Sequence, residues 1–233
     1  VATILFLLKR TLNGTMSLSK VYLIGYNLAS MCGWLYLWFL QFTFYTSEMT
    51  DFWEYVATPL KIVQTTALLE ILHSMLGLVR SPVMTTALQV FSRLMVLWGY
   101  ANISVDSQQS FGFKLMVLSW SLVEPPRYLY YIVKTMGVKM PTWLLFLRYN
   151  LFYVLYPTGI TGEILVIVNA LRFVKESGIF SVSLPNAWNF AFNYYGLTIF
   201  WLILYVPLGP YMIRNMMKQR QKYWVNANKS KKE

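Results

Sequence analysis

The sequence predicts an all-α polytopic membrane protein, a bundle of about six transmembrane helices, from its composition, its apolar runs and the placing of its charges. Of its 233 residues, 57% are hydrophobic and 12% are charged, about half the usual charged share of a soluble domain, roughly 25%. Apolar runs recur near residues 21–44, 57–79, 82–102, 112–133, 143–171 and 188–213, each long enough to cross a hydrocarbon core that takes about 20 residues of helix. The basic residues gather in most of the loops on one predicted side, as the positive-inside rule requires of cytoplasmic segments.

Residues 1–20 read as an N-terminal cytoplasmic segment. Val1 to Leu8 is apolar but short, and Lys9 and Arg10 follow it, the reverse of a signal peptide's charge order. The first run, from Val21, ends before a polar loop that carries Glu48, Asp51 and Glu54. The second and third are separated only by the stretch around Val79 to Ser81, so they are expected to be antiparallel neighbours. Residues 103–111 form a second polar loop, and the Lys134 and Lys139 loop precedes the fifth run. The sixth run gives way to a basic tail over 214–233, leaving 21–213 as the transmembrane domain. An even number of spans puts both termini on one side, and both are basic, so both are expected in the cytoplasm with Arg80, Lys134 and Lys139. Arg172 and Lys175 fall on the other side as exceptions.

The formal net charge of +11 does not point to nucleic acid. Seven of the twenty basic residues lie between Arg214 and Lys232, directly after an apolar run, which is the pattern of a tail facing anionic lipid. The single cysteine, Cys32, excludes an intramolecular disulfide and a thiol cluster, and Trp38 six positions on excludes a Cys-x5-Arg phosphatase loop. His73 is the only histidine and carboxylates are few, so no metal is expected.

Ionisable residues nevertheless lie inside the apolar runs: Lys61, Glu70, His73, Arg93, Glu124, Arg127, Arg148 and Glu163. Each costs at least ~2.5–3.5 kcal/mol at mid-bilayer, so they should point into the bundle and mark a functional site. Glu70 and His73, Gln89 and Arg93, and Glu124 and Arg127 are spaced to meet on one helix face, whether as structural pairs or as chemistry. Lys61, near a helix end, should snorkel.

The fifth run combines Arg148, Tyr149, Tyr153, Tyr156, Pro157, Gly159, Gly162 and Glu163. Seven positions return to within about 20° on a helix, which aligns Tyr149, Tyr156 and Glu163 in one stripe with roughly 10 Å between successive members. A phenol and a carboxyl so placed can both move protons across a substrate lying between them, and Pro157 and Gly159 allow a kink there. The plain structural alternative is an aromatic packing stripe.

Four separated blocks, Lys20-Val-Tyr-Leu-Ile-Gly-Tyr-Asn27, Leu68-Leu-Glu-Ile-Leu-His73, Gly77-Leu-Val-Arg-Ser-Pro82 and Leu155-Tyr-Pro-Thr-Gly-Ile-Thr-Gly-Glu163, resemble the very-long-chain (3R)-3-hydroxyacyl-CoA dehydratase family, also described as protein-tyrosine-phosphatase-like. The chain departs from the family's pattern at Pro125 and Pro126, where apolar residues are usual. The resemblance implies a hydro-lyase of the endoplasmic reticulum membrane that dehydrates long- and very-long-chain 3-hydroxyacyl-CoA to trans-2-enoyl-CoA, the third step of fatty-acid elongation, with no cofactor. It implies catalysis by Tyr156 and Glu163, either of which could be the base, supported by Glu70, Gln89, Arg93, Arg127, Arg148 and Gly159. It further implies acyl-CoA and the other elongation enzymes (condensing enzyme, ketoacyl-CoA reductase, enoyl-CoA reductase) as partners. Arg80, Lys134 and Lys139 are the candidates for the CoA nucleotide. The ending Lys229-Ser-Lys-Lys-Glu233 resembles a dilysine retrieval signal. The competing reading is a noncatalytic scaffold whose buried ion pairs only specify helix packing; a transporter is the third.

Overall fold

The computed structural model describes residues 16–48 and 50–229. Lys9, Arg10 and the last four residues of the dilysine-like ending lie outside them. Among the described residues the fold is all-α, with helices α1 (Leu18–Phe44), α2 (Phe52–Thr66), α3 (Leu68–Met75), α4 (Val83–Leu94), α5 (Val105–Gln109), α6 (Phe111–Met136), α7 (Thr142–Asn150), α8 (Phe152–Ser177) and α9 (Tyr194–Lys229). No strand forms among them; a single antiparallel bridge joins Val182 to Phe192 in the loop before α9.

Local chemistry explains where these helices start and stop. Asp51 caps α2 by accepting from the Trp53 and Glu54 amides, and Ser110 caps α6 by accepting from that of Phe113. Gly137 and Gly178 close α6 and α8 in the left-handed region, at φ 69° and 61°, where a Cβ would be strained. Pro125 and Pro126 remove two amide donors from the middle of α6, yet the helix runs unbroken through both.

Several expected runs are divided or shifted. The second is interrupted at Ala67, between α2 and α3, and the fifth at Leu151, between α7 and α8. Both residues keep right-handed helical dihedrals, so the chain bends there without turning back. The third continues from α4 into a π-helical segment, Met95–Ala101. Three helices, Leu18–Phe44, Phe152–Ser177 and Tyr194–Gln221, are long and apolar enough to cross a membrane. The boundary expected at 213/214 is not marked by any break, since α9 runs on to Lys229.

Helix α6 is the centre of the bundle, packed between α1 and α8. Trp34 of α1 meets Trp120 of α6 edge to face at 6.5 Å, and Phe113, Met116, Val117 and Tyr128 of α6 are fully or almost fully buried. Helices α6 and α8 cross with their backbones in close approach at two glycines. A Cβ on Gly162 would lie 2.6 Å from the Met116 amide nitrogen, and one on Gly112 would lie 2.3 Å from the Leu165 Cβ. Only glycine fits at either position, because backbone on the facing helix occupies the space. This contact brings Trp120 against Glu163.

Candidate active site

Glu163 lies on α8 one residue beyond the glycine crossing. Its carboxylate accepts two hydrogen bonds, from the Trp120 indole N–H at 3.0 Å and from the Tyr205 hydroxyl of α9 at 2.9 Å. It makes no salt bridge among the described residues. Tyr156, two turns earlier on α8, is half-buried, and its hydroxyl has no hydrogen-bond partner among them.

The expected partner residues assemble into something more connected than separate pairs. Arg93 of α4 donates to Glu124 Oε1. Arg127 Nε donates to Glu124 Oε2 at 2.6 Å, and the Nη1 and Nη2 of the same guanidinium donate to Glu70 at 3.2 and 2.8 Å. The Tyr128 hydroxyl completes Glu70 at 2.6 Å. Two carboxylates and two guanidiniums thus alternate across α3, α6 and α4, and their formal charges cancel. Arg93 ends this ladder 4.4 Å over the face of Trp120, the same indole whose N–H holds Glu163. Its Nε and Nη2 are buried without a hydrogen-bond partner.

Of the expected pairs, only Glu124 with Arg127 forms as spacing suggested. His73 is buried and bonds the Tyr22 hydroxyl at 2.9 Å, leaving Glu70 to Arg127. Gln89 lies on an exposed face of α4 and does not join Arg93, so the network incorporates Glu70, Arg93 and Arg127 without it. Lys61 sits over the rings of Trp53 and Trp98, at 4.9 and 5.3 Å. Gly159 is buried, but a Cβ there would meet only Ser119 Cβ at 3.5 Å, an ordinary contact. Arg148 stacks over Tyr130 at 4.5 Å. Arg80, Lys134 and Lys139 are exposed.

The expected stripe is divided by the interruption at Leu151. Tyr149 belongs to α7 and stacks on Tyr223 of α9 at 4.6 Å, while Tyr156 and Glu163 remain together on α8. Two cavities lie beside this interruption, of about 160 and 330 Å³. Neither is lined by Tyr156 or Glu163, although the larger reaches Leu155. Among the described residues no group of three or more His, Cys, Asp or Glu is placed to hold a metal.

Sequence reasoning missed Trp120 and Tyr205. They reach Glu163 from 43 and 42 positions away, so no short-range spacing could reveal them. Their only signal was a polar-tipped aromatic inside an apolar run, which seldom goes unpaired when buried.

The family model described as protein tyrosine phosphatase-like protein, PTPLA, matches residues 64–226. The Arabidopsis thaliana very-long-chain (3R)-3-hydroxyacyl-CoA dehydratase PASTICCINO 2 is 40% identical over 217 residues, covering 92% of this chain and 96% of its own. The human very-long-chain (3R)-3-hydroxyacyl-CoA dehydratase 2 is 36% identical over 217 residues, covering 92% and 85%. The Caenorhabditis elegans dehydratase hpo-8 is 36% identical over 214 residues, covering 91% and 98%. No solved structure matches the chain. A helical, apolar chain matched along nearly its whole length by these relatives belongs to the protein tyrosine phosphatase-like family that includes the very-long-chain (3R)-3-hydroxyacyl-CoA dehydratases.

Proposed function

We propose that this membrane protein is a 3-hydroxyacyl-CoA dehydratase, removing water from long- and very-long-chain 3-hydroxyacyl-CoA to give trans-2-enoyl-CoA in fatty-acid elongation, with Glu163 and Tyr156 as its acid/base pair. The observation that carries the residue roles is the contrast among the bundle carboxylates. Glu70 and Glu124 are neutralised by guanidiniums, whereas among the described residues Glu163 is held by two neutral donors alone and so keeps its capacity to take a proton.

The thioester acidifies the C2 proton. Glu163 takes it, the C2–H electron pair moves toward the thioester oxygen, and Arg93, with two guanidinium nitrogens unpartnered among the described residues, is the cation available to that oxygen. The electrons return to form the C2–C3 double bond as the C3–O bond breaks, and Tyr156 donates the proton that turns the leaving hydroxyl into water. Return of the proton from Glu163 to the Tyr156 oxygen restores both groups. Glu163 is the base in this assignment because it already accepts two hydrogen bonds, and Tyr156 is the acid because, among the described residues, no guanidinium stacks on or bonds to it to hold a phenolate. The shared helix α8 sets the base relative to the acid, and the close approach of α6 and α8 at Gly112 and Gly162 holds the Trp120 indole against the base.

The same reading places the chain in the endoplasmic reticulum membrane with six spans: α1; α2 with α3; α4 with its π segment; α6; α7 with α8; and α9. The ladder residues of α6 lower its hydropathy but are neutralised inside the bundle, which supports its crossing. At 1.5 Å per residue α9 is roughly 54 Å long, so its basic second half extends beyond a ~30 Å hydrocarbon core. Both termini are then cytoplasmic, residues 21–213 form the membrane domain between the segments 1–20 and 214–233, and the condensing enzyme and two reductases are its partners in the cycle.

The test is turnover of a long-chain 3-hydroxyacyl-CoA by detergent-purified wild type, Glu163→Gln and Tyr156→Phe. Loss of about 10²- to 10⁴-fold in kcat in each folded variant is expected for removal of a general acid or base. Wild-type activity in both would overturn the residue roles, and a folded but inert wild type would favour the scaffold.

A further inference from the structure

We propose that the cavity between α6, α7 and α9 is a phosphate-binding subsite, with Arg148 as its cation and the CoA arm of the substrate as its occupant, a proposal that rests on the dehydratase reading. Arg93 and Arg127 each answer a buried carboxylate, but among the described residues Arg148 answers none. Its contacts among the described residues are the faces of Tyr130 at 4.5 Å and Tyr131 at 5.3 Å, which orient the guanidinium without neutralising it. A half-buried cation without a counter-charge is costly in a bilayer and calls for an anion.

Arg148 lines the cavity of about 160 Å³ together with Tyr149 of α7 and Met216 and Gln219 of α9. That volume equals about five waters at ~30 Å³ each, enough for one phosphate group. Arg127 also borders it, but its donors are engaged by Glu70 and Glu124. The guanidinium fork suits a phosphate ester better than a point charge would. A second cation stands at the same end of the bundle, where Arg220 Nε donates to Asn150 at 2.9 Å.

The cavity also leads toward the reacting groups. It shares Leu147 and Leu151 with the 330 Å³ cavity, which continues past Val154 to Leu155, the neighbour of Tyr156. Arg148 and Tyr156 are eight residues apart, about 12 Å along a helix axis, a distance that the pantetheine arm spans. The helix interruption at Leu151 opens this route. Arg80, Lys134 and Lys139, all exposed, are not needed for this contact.

The experiment compares kcat/KM for the CoA and pantetheine thioesters of one 3-hydroxy acid, in nanodiscs with and without anionic lipid. Wild type should prefer the CoA thioester. Arg148→Gln should lower that preference by about ten- to a hundredfold, the worth of a charge-assisted hydrogen bond, through KM with kcat held; Arg148→Lys should recover part of it. No wild-type preference, or an equal loss on both thioesters, would overturn the subsite. An equal loss seen only with anionic lipid would assign the cavity to a lipid headgroup instead and overturn it likewise. A wild type inert toward both thioesters fails at the dehydratase reading itself, a result distinct from a subsite that merely lacks selectivity.

Discussion

The ladder of Glu70, Arg127, Glu124 and Arg93 and the carboxylate of Glu163 are both anchored on α6, yet their electrostatics are opposite. In the ladder every carboxylate meets a guanidinium, so the group is neutral and its members hold α3, α4 and α6 in one register. At Glu163 the partners are an indole and a phenol, which position the carboxylate without cancelling its charge. Buried charge is cancelled in the ladder and left uncancelled at Glu163, the contrast on which the proposed roles rest, and Trp120 joins the two regions by offering its face to Arg93 and its N–H to Glu163.

The sharpest way to break this comparison is to neutralise one carboxylate of each kind. Glu124→Gln strips two guanidiniums of a shared partner and should cost about 3–5 kcal/mol in thermal unfolding in detergent, whereas Glu163→Gln should leave the unfolding midpoint nearly unchanged while abolishing turnover. If Glu163→Gln unfolds the protein as readily as Glu124→Gln, the distinction fails. The double variant Arg93→Gln with Glu124→Gln should be less damaging than the sum of its singles, since the two share one interaction.

Gly162→Ala should destabilise by about 1–3 kcal/mol because the added methyl meets the Met116 backbone. Gly159→Ala, facing only Ser119 Cβ, should cost much less. Equal midpoints for these two variants would remove the close crossing as the device that brings Trp120 to Glu163.

Tyr205→Phe should lower kcat roughly five- to tenfold with KM held, the effect of one lost hydrogen bond on a positioned base, and a change confined to KM would assign Tyr205 to substrate binding. The smallest effect is expected at Gln89: Gln89→Ala on its exposed face should shift stability by less than about 0.5 kcal/mol.

The identity of the polar residues was legible because charge in an apolar run stands out against its surroundings. Glu124 with Arg127 was also legible as a pair, since one helix turn separates them. Glu70 with His73 was not, because the same spacing is satisfied equally by partners on other helices: Arg127 lies 57 positions from Glu70, and Tyr22 lies 51 from His73. Gln89 shares a helix face with Arg93 in sequence, yet only Arg93 is drawn inward, by Glu124 and the Trp120 ring. The interruption at Leu151 was hidden because that residue keeps helical dihedrals and carries no proline or glycine signal, whereas the helix runs without a break through Pro157.

Composition and periodicity alone determined that this chain is a helical membrane protein and which ionisable residues stand inside its apolar runs, because the solvation cost of each residue is a local property. Which carboxylate meets a guanidinium and which meets neutral donors, which glycine touches a facing backbone, and which guanidinium has no counter-charge among the described residues were decided only by tertiary structure. Those outcomes depend on distances between helices far apart in the chain, and a pairing energy exists only once two such groups are within reach.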